Sequence, residues 1–197
     1  EDCGELDIVQ GSVDSLTIQA EDNLMPFIKS EVKDARLTLG LRPNYQVNSI
    51  QNTMPVKYYV SVKNLKEIEL SGAGKIFTNG ITAGTLKVVE DGTGSIQLDR
   101  LKANELDLYL DGKGSTRVSG QVDYQIVEVG GPGKYDADDL DSSFASVDMN
   151  GSGAATVWVK HALNVLLNSN GSAHYFGNPV LHVDNTGQGV VQAMGMK

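Results

Sequence analysis

A chain of 197 residues with a net charge of −9 is long enough to bury a substantial core, but too acidic for a phosphate backbone, which needs clustered Lys and Arg. That composition excludes nucleic acid as a partner and disfavours anionic membranes and acidic polysaccharides unless a metal ion bridges the charges. Cys3 is the one cysteine, so neither an intramolecular disulfide nor a cysteine-based metal site can form.

Residues 1 to about 20 alternate apolar and polar positions, with Leu6 and Ile8, then Val13, Leu16, Ile18 and Ala20, which predicts half-buried strands. Between residues 21 and 30 the alternation stops. Asn23 is placed to cap one helical turn, and Pro26 limits its length. Residues 31–41 predict two short strands meeting near Lys33-Asp34, and residues 43–55, with two prolines and three asparagines, predict a loop. The strand pattern returns over residues 56–62, with Val56, Tyr58, Val60 and Val62 on one face.

From Leu65 the chain repeats. Gly-X-Gly returns about every twenty residues at Gly72 and Gly74, Gly92 and Gly94, Gly112 and Gly114, Gly131 and Gly133, and Gly151 and Gly153. Gly171 follows, with Ala173 in place of the second glycine, and Gly187 and Gly189 close the series. The residues two and four before each first glycine are mostly apolar, as in Leu110 and Leu108 or Met149 and Val147, while Glu90 and Ser169 break the outer row. Each unit predicts turn, strand, short turn, strand, with no room for a helix of about ten residues. One such unit cannot bury its apolar face alone, so neighbours must stack. The predicted fold is therefore all-β: a parallel β-helix, or β-solenoid, of about 20-residue coils over 65–197. A less regular β region over 1–64 is continuous with it in one structural domain. The glycines are expected to turn a corner at positive φ, with the Asp or Asn before each pair bonding the turn amides.

No motif carries a catalytic constellation. The glycine pairs lack the third glycine of a dinucleotide fingerprint and the Gly-Lys-Ser/Thr of a phosphate loop, and no Gly-X-Ser-X-Gly elbow occurs. Asp136, Asp138, Asp139 and Asp141 crowd six residues, as a weak site for a hard cation such as calcium would; a solvated acidic loop is the favoured reading of them. His161, His174 and His182 lack the HExxH spacing. Asp99 with Asp111 has the residue types of a glycosidase pair, and Lys113 and Arg117 near Asp111 those of a lyase. Among the aromatics, Trp158, Tyr175 and Tyr109 are the candidates for stacking on a sugar face. Their alternative use is core packing.

The segments running Ala20-Glu-Asp-Asn-Leu-Met-Pro-Phe-Ile-Lys-Ser-Glu-Val and Leu65-Lys-Glu-Ile-Glu-Leu-Ser-Gly-Ala-Gly-Lys-Ile, with the later Asp/Asn-Gly-X-Gly repeats, resemble the bacterial putative auto-transporter adhesin, head GIN domain family over nearly the whole chain. The resemblance implies a right-handed parallel β-helix, export to the cell envelope or surface, and an adhesive role. It implies no catalytic residue and no cofactor. The family usually has another strand before Leu6, so an N-terminal truncation is expected, with an export signal and any lipid or other membrane anchor outside these residues. Three functions follow: a non-enzymatic surface domain binding a polysaccharide or a cell-surface protein through an extended face; a structural module that self-associates, with the tail from Val190 as cap or sticky end; and a polysaccharide lyase.

Overall fold

The computed structural model describes residues 4–42 and 54–197; Cys3 and most of the predicted 43–55 loop lie outside them. The molecule is a β-solenoid of about 6 turns spaced about 20 residues apart. Its coils are built by β6 (Glu67–Leu70), β7 (Lys75–Asn79), β8 (Thr82–Glu90), β9 (Ser95–Leu110), β10 (Ser115–Val129), β11 (Lys134–Met149), β12 (Ala154–Leu167), β13 (Ser172–Phe176), β14 (Val180–Asn185) and β15 (Val190–Gly195). Every pairing among these strands is parallel. The predicted short turn between two strands does not interrupt β9 to β12. Each runs as one ladder, because neighbouring coils bend together and keep their backbone bonds.

The bends are visible in the phase of burial. In β9 the inward residues are Ile96 and Leu98, then Leu101 and Ala103, then Leu106, Leu108 and Leu110. The alternation slips by one residue at Asp99–Arg100 and again at Asn104–Glu105, giving three faces per coil. Inward rows continue from coil to coil: Ile68, Val88, Leu108, Val127, Val147 and Val165 stand in register on the third face. Each fully buried aliphatic side chain of this kind contributes about 1.5–3 kcal/mol. A few inward positions are polar, Gln125 and Ser142 among them. Gln125, level with Leu106 and Ala145, donates to Ser142 Oγ at 2.8 Å and accepts from Tyr135 at 3.1 Å. Ser142 in turn donates to the Trp158 carbonyl at 2.6 Å, so the buried chain is satisfied.

The glycine pairs have a different cause from the one expected. Positive φ among glycines falls at Gly40, Gly80, Gly120, Gly177 and Gly195, none of them in a Gly-X-Gly phrase. What the phrase needs is close approach. A Cβ on Gly92 would lie 2.1 Å from the Gly72 carbonyl oxygen, and one on Gly112 2.1 Å from that of Gly92. The second glycine makes room for a ladder side chain of the coil before, as Gly94 does for Leu70 Cδ2 at 2.8 Å. Turn amides bond to the preceding coil, Lys113 N–H to the Gly92 carbonyl at 2.8 Å, and a side-chain bond to a turn amide occurs at Asn185, which accepts from Gly187 at 3.1 Å.

Late in the chain the register corrects the sequence alignment. Ala154 pairs with Ser172 and Ser172 with Val190, so the last coils are two residues shorter. Gly171 therefore stands level with the second glycine, Gly153, and Ser169 stands level with Gly151, whose carbonyl accepts from Ser169 Oγ. Leu167, not Ser169, continues the outer row beneath Met149.

The N-terminal segment closes one end. β1 (Glu5–Gln10) inserts between β7 and β5 (Lys57–Val62), parallel to both, and β2 (Ser15–Gln19) pairs antiparallel with β5. A single 3-10 turn, Met25–Phe27, has Leu24 at its N-cap with no side-chain cap bond, so Asn23 does not cap it. The hairpin of β3 (Ile28–Lys33) and β4 (Arg36–Leu41) turns at Asp34-Ala35, both at positive φ. Arg36 anchors it to the solenoid through Glu67, at 2.8 Å, and Glu69. Leu24, Ile28, Val56 and Tyr58 form a second small core beneath it. The opposite end has no such cover: the inward Leu181 and Val183 of β14 remain 40% and 39% exposed.

Candidate functional site

The three aromatic candidates do not converge. Trp158 points outward where the first face meets the second, whereas Tyr175 pairs with inward Val157 and packs against the core. Tyr109 is outward on the third face, with the Lys87 ammonium 5.6 Å from its ring centre. The outward neighbour of Trp158 is Phe176, directly in register on β13. Its spacing of 18 residues matches that of the shortened coil, a signal hidden while a constant twenty is assumed.

Beside this pair, β11 bulges. It passes through Asp138, Asp139 and Leu140 between Ala137 and Asp141, where β12 steps directly from Val157 to Trp158. Leu140 turns into the core and leaves both carboxylates at the corner. Lys197 reaches back to them, its Nζ 2.8 Å from Asp139 Oδ1 and 3.4 Å from Asp138 Oδ2. The same ammonium lies 5.0 Å from the centre of the Phe176 ring and 5.8 Å from that of Trp158. Arg117 Nη2 flanks the carboxylates at 3.4 Å from Asp139 and 3.7 Å from Asp138. The hydrogen bond from Lys197, then its charge, hold Asp139 below the usual carboxylate range. Burial opposes the charge on Lys197, but its bond to Asp139 and the charges of Asp138 and Asp139 outweigh that and raise its pKa. The remaining acidic candidates face other cations, Asp136 with Lys134 at 3.3 Å and Asp141 with Lys160 at 2.6 Å. Among the described residues no three His, Cys, Asp or Glu side chains gather as a metal site.

The third face carries a strip that the sequence reading did not assemble. Tyr124 and Phe144 are paired across β10 and β11 and stack with ring centres 4.9 Å apart at 18°. Phe144 then meets His161 at 5.6 Å. Tyr124 is 50% exposed, and Ile126 beside it 43%. The signal was available, since Tyr124 and Phe144 are one coil apart. The strip is bordered by Glu105, Asp107, Glu128 and Asp148, outward on the same face.

The other candidates stay apart. His174 is level with Thr156 on the first face and His182 with Asn164 on the third, within one coil. Asp99 sits at a corner, accepting from Gln97 at 2.8 Å, while Asp111 and Lys113 belong to the glycine turn and Arg117 faces the acidic bulge. A shallow, open hollow between Asn64–Lys66 and Thr82–Thr85 holds no acid–base pair. Inside, Glu90 is the one carboxylate fully buried among the described residues, and the amides of Gly92 and Gly114 approach it without completing a hydrogen bond of good geometry. Burial, tempered by the amides of Gly92 and Gly114, pushes its pKa up to about 7.

A family model described as "Putative auto-transporter adhesin, head GIN domain" matches residues 2–179. Among solved structures, the chain is similar to a "putative adhesin" from Bacteroides fragilis, at 22% identity and a TM-score of 0.90 over 98% of this chain and 88% of that one. It is also similar to a "putative adhesin" from Parabacteroides distasonis, at 19% identity and a TM-score of 0.74 over 98% and 90%. A third, a "putative lipid binding protein" from the same species, matches at 20% identity and 0.69 over 98% and 89%. At these identities the likeness establishes the fold. None of the curated proteins matches the chain.

Proposed function

The chain belongs to the putative auto-transporter adhesin, head GIN domain family, and from that premise we propose a non-enzymatic adhesin-like domain at the bacterial surface that holds a neutral glycan on its third face. The observation that carries this reading is the Tyr124–Phe144–His161 strip. Stacked rings on a rigid ladder offer flat apolar area at little entropic cost, and the apolar faces of sugars fit them. The bordering carboxylates accept from sugar hydroxyls and repel acidic polymers. The three rings stand on successive coils along the solenoid axis, which suits an extended run of sugar units.

Electrophoresis in native gels cast with neutral polysaccharides or mucin tests this reading. Retarded migration that is lost in Tyr124→Ala and Phe144→Ala but kept in Trp158→Ala supports it. Release of sugar ends, or migration unaffected by every polysaccharide, overturns it. A second reading rests on the open end. Leu181, Val183 and Val190 stay exposed beside the free edges of β14 and β15, and unpaired edges invite strand addition. End-to-end association of two copies would appear as a concentration-dependent rise in mass that Val183→Lys abolishes.

A further inference from the structure

We propose that Asp138, Asp139, Trp158 and Phe176 form a half-cage for an alkylammonium group, filled in this structure by the chain's own Lys197 and open, once vacated, to a lysine side chain of another protein. Three observations carry it. First, an ammonium is already seated there: Lys197 Nζ lies between two carboxylates, at 2.8 and 3.4 Å, and two ring centres, at 5.0 and 5.8 Å. Ring faces and carboxylates together are the two chemistries that recognise such a cation, and ring faces within about 6 Å are near enough to contribute.

Second, the walls stand on paired strands while the occupant does not. Trp158 and Phe176 are held in register on β12 and β13, and buried Leu140 fixes the bulge that carries the two aspartates. Lys197 lies beyond the end of β15, after Met196 at 75% exposure. Withdrawing it opens no strand pairing. Third, the charge is complementary to a basic partner, because the chain carries −9 overall and Arg117 neutralises only part of the corner. Asp138 Oδ1 is enclosed without a hydrogen bond, 3.7 Å from Arg117 Nη2. The occupant is a lysine because the ammonium seated between these carboxylates and rings is a lysine's own, and a long alkyl stem lets such a head reach a corner from a partner's surface.

Trp158 is the single tryptophan, so its fluorescence reads this site alone. Lys197→Ala, or Lys197→Gln if alanine disturbs the tail, is titrated with Nα-acetyl-lysine N-methylamide. A saturable change is expected in the variant. In the unaltered chain it requires about fivefold more probe or higher, because the tethered Lys197 competes at high effective concentration. Adding Asp138→Asn and Asp139→Asn should abolish the response, and the Nε-acetylated probe should give none. Phe144→Ala should leave the response intact, which separates this site from the glycan strip. No saturable change in the vacated variants, or an equal response to the neutral probe, overturns the proposal. A response to glucosamine but not to the lysine probe replaces the protein partner with an amino sugar and overturns it equally.

Discussion

Glu90 and Leu110 stand in register in one inward row on neighbouring coils, and both side chains are fully buried. A carboxylate therefore occupies a position that Leu70, Leu110, Val129, Met149 and Leu167 fill elsewhere. Its pKa is raised from 4.5 to about 7, chiefly by burial. A raised carboxyl pKa means that the folded chain binds the proton more tightly than the unfolded chain does. The favourable contribution is then complete below pH 4.5 and is lost as pH rises through 7. The difference corresponds to about 3 kcal/mol. Glu90→Leu should stabilise the protein at pH 8 by about 2–4 kcal/mol and remove this part of the pH dependence. Urea unfolding of both proteins at pH 5 and pH 8 measures it; an equal difference at the two values would refute the protonation argument.

The two kinds of glycine should respond differently to alanine. At Gly92 a Cβ meets the Gly72 carbonyl oxygen at 2.1 Å and its nitrogen at 2.9 Å, so a whole coil must shift. At Gly80 the Cβ meets nothing within 4 Å, and the strain comes only from φ of +81°. Gly92→Ala should cost about 3 kcal/mol and Gly80→Ala about 1–2 kcal/mol. At about 2–4 °C per kcal/mol for a chain of this size, thermal melting separates them. A reversed order would mean that the close-approach account of the repeat is wrong.

These contrasts mark what the sequence made legible. The period is plain because each coil repeats the same close approach, and only glycine tolerates it at Gly92 or Gly112. Inward rows are plain because one solenoid core is continuous, so Leu108 predicts Val127 one coil on. Registers that change are not. The two-residue shortening after Ala154 moves Phe176, and not Tyr175, beside Trp158, and the bulge at Asp138–Leu140 brings Arg117 and Lys197 to one corner. Neither change has a local residue signature, because both are absorbed by ladder pairing between coils rather than by turn residues. The Tyr124–Phe144 stack was readable by period alone, but an aromatic at an outward position looks the same in sequence as one in the core.

Tyr135 supplies a test of the buried polar chain. Its hydroxyl donates to Gln125 Oε1 at 3.1 Å, and all of Tyr135, Gln125 and Ser142 are fully buried. Tyr135→Phe keeps the ring but leaves the Gln125 carbonyl without its donor, which costs about 1–3 kcal/mol. Adding Gln125→Leu, which restores the aliphatic row of Leu106 and Leu163, should recover part of that loss. Thermal melts of the single and double variants check it. A double variant less stable than the sum of its singles would show that the row needs the amide for packing and not only for its bonds.

Phe144 should matter most in the aromatic strip. It is the middle ring, 4.9 Å from Tyr124 and 5.6 Å from His161, so its removal divides the platform, whereas removing Tyr124 only shortens it. An aromatic contact contributes about 0.5–1.5 kcal/mol beyond its area. Phe144→Ala loses two ring contacts as well as its own area, and should weaken glycan retention by about tenfold or more. Tyr124→Ala loses one and should weaken it less, while His161→Ala should weaken it least because its ring is tilted by 47°. Retardation measured across a series of polysaccharide concentrations gives the three dissociation constants. Equal losses at all three positions would mean that the rings act separately. A loss confined to Tyr124 would place the sugar on Ile126 and the outer edge of the face instead.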